Sequence, residues 1–118
     1  MITAVIVTFN NPAMLRDLLR DLQGQSLVPE RIIVVDNSTR PWADRLAATL
    51  PGLETVRMAA NEGSAGGFHA GLQRALEGRG DAILTLDDDV RMPVDALETL
   101  CRGLRGLEES EGPSLIPL

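Results

Sequence analysis

Apolar positions follow one another along this chain in two rhythms. Residues 2–8, Ile-Thr-Ala-Val-Ile-Val-Thr, are β-branched and nearly all apolar, which predicts a strand buried on both faces. Met14, Leu15, Leu18, Leu19 and Leu22 then recur at helical spacing. Asn10 or Asn11 offers that helix a cap, Pro12 suits its first turn, and Gly24 ends it. A second strand is expected over 31–35, a short helix over 43–50 closed by Pro51-Gly52, and a weaker strand over 54–58. From about Ala65 the chain reads as helical, with Phe68, Leu72, Ala75 and Leu76 on one face and Gly78 beyond. An apolar run over 82–86 predicts a fourth strand, and Pro93 opens a last helix through Val94, Leu97, Leu100, Cys101 and Leu104.

Strands that alternate with helices predict an α/β fold, a three-layer α/β/α sandwich with a mostly parallel, Rossmann-like sheet and right-handed crossovers. Ligands of such sheets bind beyond the carboxyl ends of the strands, near the switch in strand order. Asn10, Asp36, the stretch from Asn61, and Asp87 to Asp89 all follow strands, so all four are expected on one edge of the sheet. The folded domain is expected over 1–104, with 105–118 as an acidic, flexible tail.

A length of 118 residues and 44% hydrophobic composition suit a single globular domain. The formal charge of −6, with no basic patch, argues against nucleic acid as a partner. No apolar run approaches the roughly 18 residues of a membrane span. The N-terminus lacks the basic start of a signal peptide, and a lone cysteine, Cys101, reads as a packed thiol in a reducing compartment. These features predict a cytoplasmic location, with the inner face of the membrane as the alternative.

The sharpest chemistry lies at the end of the fourth strand. Asp87-Asp88-Asp89 sets three like charges side by side after a buried approach, and a divalent cation relieves their repulsion. Oxygen-only ligands suit Mg²⁺ or Mn²⁺. Alternate residues just past a strand point the same way, so Asp87 and Asp89 can share an ion or ligand while Asp88 points elsewhere. A solvated turn is the plainer alternative. Asp36 can accept hydrogen bonds from a base or ribose, or else form an Asx-turn with Asn37 and Ser38. Residues 61–67, Asn-Glu-Gly-Ser-Ala-Gly-Gly, offer free backbone N–H groups that could hold a pyrophosphate at a helix start. They match neither a Walker loop nor a dinucleotide fingerprint. His69 reads as a surface or packed histidine rather than a ligand, Arg74 and Arg79 as solvated, and Trp42 as a packing residue.

Four stretches in order resemble the inverting family 2 glycosyltransferases of GT-A fold. They are Val5-Ile6-Val7-Thr8-Phe9-Asn10, Ile33-Val34-Val35-Asp36-Asn37-Ser38, Asn61 to Phe68, and Leu86-Asp87-Asp88-Asp89. The glycine-rich stretch with the triple Asp is most similar to the galactofuranosyl- and rhamnosyltransferase branch. The resemblance implies a site for a nucleotide-diphosphate sugar, UDP- or dTDP-linked. Thr8, Phe9 and Asn10 would line the nucleotide pocket and Asp36 would pair with the base. Asn61 and Gly63 would contact the nucleotide. Asp87 and Asp88 would lie on its ribose side, and Asp89 would bind the metal, with Asp87 as second ligand or ribose contact. The cation, Mg²⁺ or Mn²⁺, would act as Lewis acid on the leaving diphosphate.

The family's glycan or sugar acceptor, and the carboxylate base that activates it, belong to a C-terminal half with no counterpart motif in these residues. The expectation is therefore a donor-binding half, a fragment with transfer incomplete in this chain, and homo-oligomers where apolar faces stay bare. A non-catalytic interaction or assembly protein on a degenerate transferase fold is the alternative. A nucleotidyltransferase is a third, weakened because Asn10-Asn11-Pro12 carries no basic charge.

Overall fold

The computed structural model describes residues 2–39, 45, 50, 52–78, 82–108 and 115–117. Five strands, β1 (Ile2–Thr8), β2 (Arg31–Asp36), β3 (Leu53–Arg57), β4 (Ala82–Asp87) and β5 (Leu115–Pro117), form one sheet in the order β3-β2-β1-β4-β5. Every pairing is parallel. Three helices complete the described fold: α1 (Pro12–Gln23), α2 (Gly63–Leu76) and α3 (Ala96–Glu108).

Alternation along the strands divides the core. Ala4, Ile6, Ile32, Val34, Leu84 and Leu86 face one way, against Leu15, Leu18, Leu19 and Leu22 of α1 and Leu97 of α3. Val5, Val7, Ile33 and Val35 face the other way, against α2. The α/β/α layering expected of the sequence is thus present. Successive strands step from β1 outward to β2 and β3, then return to β4 on the other side of β1. The switch in strand order therefore falls between β1 and β4, where this architecture binds ligands. Register brings the strand ends level: Thr8 lies beside Asp36, Val7 beside Asp87, and Asp36 beside Arg57.

Helix α2 departs from the expected pattern. It begins at Gly63, and its buried line is Gly67, Gly71 and Ala75, while Leu76 is 73% exposed. The reason is distance. A Cβ on Gly71 would come within 2.4 Å of Val5 Cγ1 and 2.9 Å of Val35 Cγ2. A Cβ on Gly67 would come within 2.7 Å of Val7 Cγ1. The branched strand residues fill the space that a larger residue would need at 67 and 71, so glycine stands there, while Ala75 fits farther along and Phe68 packs beside the line, as expected. At the far end of α2, Arg31 donates to the carbonyls of Arg74 and Ala75 and pairs with Glu54. Arg74, expected in solvent, also reaches Glu54, at 3.4 Å.

Helix α3 likewise starts at Ala96, not at Pro93. Residues 94 and 95 form a turn, and Val94 is 63% exposed. The segment leading into α3 is fastened to α1. Asp21 accepts from Arg91 Nε at 2.7 Å and from the Met92 N–H at 3.0 Å. The buried Gln25 side chain donates to the Pro93 carbonyl at 2.7 Å and accepts the Leu97 N–H at 3.1 Å. In α1, Asn11 takes the N-cap position, but its side chain makes no capping bond. The helix expected over 43–50, with Trp42, lies outside the described residues except for Arg45, which is helical, and Leu50, which packs on the core. Arg79 and the tail residues 109–114 also lie outside them. Residues 115–117, read from sequence as tail, pair with β4 as β5.

Two alanine substitutions in helices should shift stability in opposite directions. Gly103→Ala, whose Cβ meets nothing within 4 Å, should add up to about 1 kcal/mol from helix propensity. Gly71→Ala gains the same propensity but overpacks against Val5, and should lose about 1–2 kcal/mol net. Denaturant titration of both variants checks this; equal shifts would refute the close packing.

Acid should also loosen the fold. Hydrogen bonding from Arg91 holds Asp21 below its ordinary 3.8, and hydrogen bonding from Arg31 holds Glu54 below 4.5. Each depressed carboxyl contributes stability that is complete above its ordinary value and is lost as pH falls through its lower folded value. The gap in melting temperature between wild type and Asp21→Asn should accordingly narrow as pH drops below about 4.

Candidate active site

The site is assembled where β1 and β4 end. Thr8, 1% exposed, donates its hydroxyl to Asp88 Oδ2 at 2.8 Å. That bond turns Asp88 toward β1 and leaves Asp87 and Asp89 exposed on either side. The Val90 N–H, 3.4 Å from the Asp87 carbonyl, closes the turn. The triplet thus divides into one carboxylate held by the protein and two exposed ones. All three line a cleft of about 390 Å³, whose other walls are Val7, Thr8, Phe9, Asn37, Asn61, Gly63 and Ser64.

A second cavity of about 270 Å³ adjoins the first and shares Phe9, Asn37 and Asn61 with it. Its remaining walls come from the β2 and β3 ends, Ser38, Thr39, and Arg57 to Ala60. Phe9 is 48% exposed, a flat apolar face available to both cavities.

Asp36 is 2% exposed and lines neither cavity. Its Oδ1 accepts the Ser38 N–H at 2.8 Å, the Asx-type turn that its sequence allowed. Its Oδ2 lies 3.2 Å from Arg57 Nη1, in an ion pair whose angle does not make a hydrogen bond. Asn10 has φ 48°, the left-handed region that Asn tolerates better than most residues. Its side chain accepts from the Thr39 N–H and hydroxyl at 3.1 and 3.2 Å, and its N–H donates to the Ser38 hydroxyl at 2.8 Å. Asn10 therefore ties two site loops together and lines neither cavity.

Where the sequence suggested a glycine loop, the structure has a helix start. Gly63 stands at φ 74° and its N–H donates to Asn61 Oδ1 at 2.9 Å. Asn61 thus takes the first helical N–H, the N-cap residue Glu62 adds no side-chain capping bond, and the remaining N–H groups of the first turn lie beside the cleft. Sequence reasoning gave Asn37 and Arg57 no place in the site, and Ser64 one only as part of the stretch 61–67. Asn37, 4% exposed, donates its N–H to the Thr8 carbonyl at 2.9 Å and its Nδ2 to the Gly63 carbonyl at 3.1 Å. Its position directly after a strand-end Asp was the available sign. His69 is exposed and apart from both cavities.

The donor set for a cation is carboxylate oxygen alone, which suits Mg²⁺ or Mn²⁺. Among the described residues no group of three metal-ligating side chains is gathered into a cage. Outward-facing Asp87 and Asp89 match an ion that takes one or two carboxylates and completes its shell with water and ligand phosphate.

Relatives share this frame. A galactofuranosyltransferase GlfT1 of Mycolicibacterium smegmatis is 35% identical over 96 residues, 80% of this chain and 32% of its own length. The chain thus spans about a third of that relative. Among solved structures, S. aureus TarS 1-349 in complex with UDP superposes with TM-score 0.75 at 17% identity, over 89% of this chain and 32% of that one. Mannosyltransferase PcManGT of Pyrobaculum calidifontis, in complex with GDP-Man and Mn²⁺, gives 0.67 at 24% identity, over 90% and 32%. These structures share the GT-A fold with the chain. Residues 3–109 match one family along nearly the whole sequence, and on that match the chain belongs to glycosyl transferase family 2.

Proposed function

We propose that this chain forms the donor-binding part of an inverting glycosyltransferase, holding a nucleotide-diphosphate sugar with a divalent cation. The observation that carries the reading is convergence. Thr8, Phe9, Asn61, Gly63 and all three aspartates surround one cleft at the switch in strand order. The relatives support the ligand class, since TarS is described with UDP and with UDP-GlcNAc, and PcManGT with GDP-Man and Mn²⁺.

The parts divide the ligand between them. The diphosphate lies at the outward carboxylates, with Asp89 and Asp87 holding the cation and Asp88, braced by Thr8, keeping the turn in place. When bound, the cation supplies positive charge to the departing diphosphate. The α2 N-terminus adds backbone N–H groups on the same cleft. The base lies toward the second cavity against the Phe9 ring. Arg57 lines that cavity and offers a donor to a base carbonyl, and buried Asp36 behind it holds the guanidinium in place through their ion pair. No helix among the described residues is long and apolar enough to cross a membrane.

Calorimetry with UDP and Mn²⁺ tests this. Heat should appear with UDP only when Mn²⁺ is present, and saturation at about 100 times Kd should stabilise the fold by about 2.7 kcal/mol. Absence of heat together with an unchanged melting temperature would sink the proposal. Asp89→Ala should weaken metal-dependent UDP binding about tenfold or more, roughly 1.4 kcal/mol. Asp36→Asn should weaken UDP to a similar degree, on the order of 1–3 kcal/mol, and leave Mn²⁺ affinity unchanged.

A further inference from the structure

Asn37 joins three segments of the site through one buried residue, by its backbone to β1 and by its side chain to α2. Its backbone N–H holds the end of β1 at the Thr8 carbonyl, 2.9 Å away. Its Nδ2 holds the first residue of α2 at the Gly63 carbonyl, 3.1 Å away. The same Nδ2 would lie 3.1 Å from a Cβ on Gly67, so the amide sits tightly under the helix. With Nδ2 bound to a carbonyl, the orientation of the amide is fixed, and Oδ1 is left as a buried acceptor with no partner. A buried unpaired acceptor is unfavourable, so its retention beside two cavities calls for a reason other than stability. Asn37 lines both cavities, whereas Gly63 and Ser64 line only the one that contains the acidic turn.

We propose that Asn37 is a positioning residue of the donor site, which sets the first turn of α2 as the diphosphate-facing wall of the acidic cleft. The proposal rests on the donor-binding reading above. Through the Gly63 carbonyl, Asn37 fixes where the first-turn N–H groups of α2 beyond Gly63 point. A helix terminus favours an anion only within its first turn, so a small displacement there forfeits the interaction. The lost affinity should then belong to the diphosphate and not to the nucleoside or the cation.

The test compares wild type with Asn37→Ser, which is too short to reach Gly63. Mn²⁺ alone, UMP with Mn²⁺, and UDP with Mn²⁺ are titrated by calorimetry, with melting temperatures alongside. UDP affinity should fall about fivefold or more, the scale of one lost hydrogen bond, with UMP changed less than about twofold and Mn²⁺ unchanged. Equal losses for UMP and UDP, or no loss for either, overturn the positioning role while wild-type UDP binding leaves the donor site standing. Wild type that binds Mn²⁺ but neither nucleotide overturns the donor site and this role with it. Should Asn37→Ser fail to fold, Gly63→Ala displaces the same turn through strain at φ 74° and must give the same UDP-selective loss. A Gly63→Ala protein that loses UMP and UDP alike, or neither, overturns the proposal.

Discussion

The width of the candidate cleft is set by how closely α2 lies on β1 and β2. Gly67 and Gly71 bring the helix backbone onto Val5, Val7 and Val35, with no side chain between. Close-packed interiors transmit displacement, so the start of the helix is located by the same contacts that seal its middle. Arg31 fixes the opposite end by binding the carbonyls of Arg74 and Ala75. The helix is therefore held along its length, and Gly63 and Ser64 reach the cleft because the glycines below let them.

Electrostatics oppose the fold at the same edge. Asp87, Asp88 and Asp89 stand in a row, and Asp36 lies at the end of β2 in a chain of net charge −6. The protein answers each one differently. Asp36 is buried against Arg57 and the Ser38 N–H, and Asp88 is hydrogen-bonded by Thr8. Asp87 and Asp89 remain in solvent, where like charges are screened. This division separates carboxylates that build the edge from carboxylates available to a cation.

Much of this was legible in the sequence because burial writes itself into composition. Strands closed on both faces show as β-branched runs, and α1 shows a regular leucine spacing. The rule that ligands gather beyond strand ends placed Asn10, Asp36, the stretch from Asn61 and the triplet on one edge; of these Asn61, Gly63 and the triplet line the cleft, while Thr8 and Phe9 came from the family resemblance. What escaped was settled by tertiary contact. Ala75 was read inward and is buried, but Gly67 and Gly71 carry no apolar signature, so Leu76 was assigned inward as well and the helix start was set late. Pro93 looked like a helix opener, but Gln25 engages its carbonyl and the Leu97 N–H, so the helix begins beyond it. The linking role of Asn10 depends on Thr39, 29 positions away in sequence, and no local pattern announces such a partner. The third strand was faint for a related reason: its residues are half-exposed and its composition is mixed.

The fastening of residues 91–97 to α1 bears on the acidic turn ahead of it. That turn is gripped at Asp88 by Thr8, and just downstream by Asp21 through Arg91 and Met92. Ordering a free loop costs about 1–2 kcal/mol for each residue immobilised. Here the immobilisation is met when the domain folds, before any cation arrives. On the donor-binding proposal, an incoming ion would meet a turn already fastened on both sides, so selectivity among divalent ions would rest on ionic radius and hydration and not on how readily the loop can wrap.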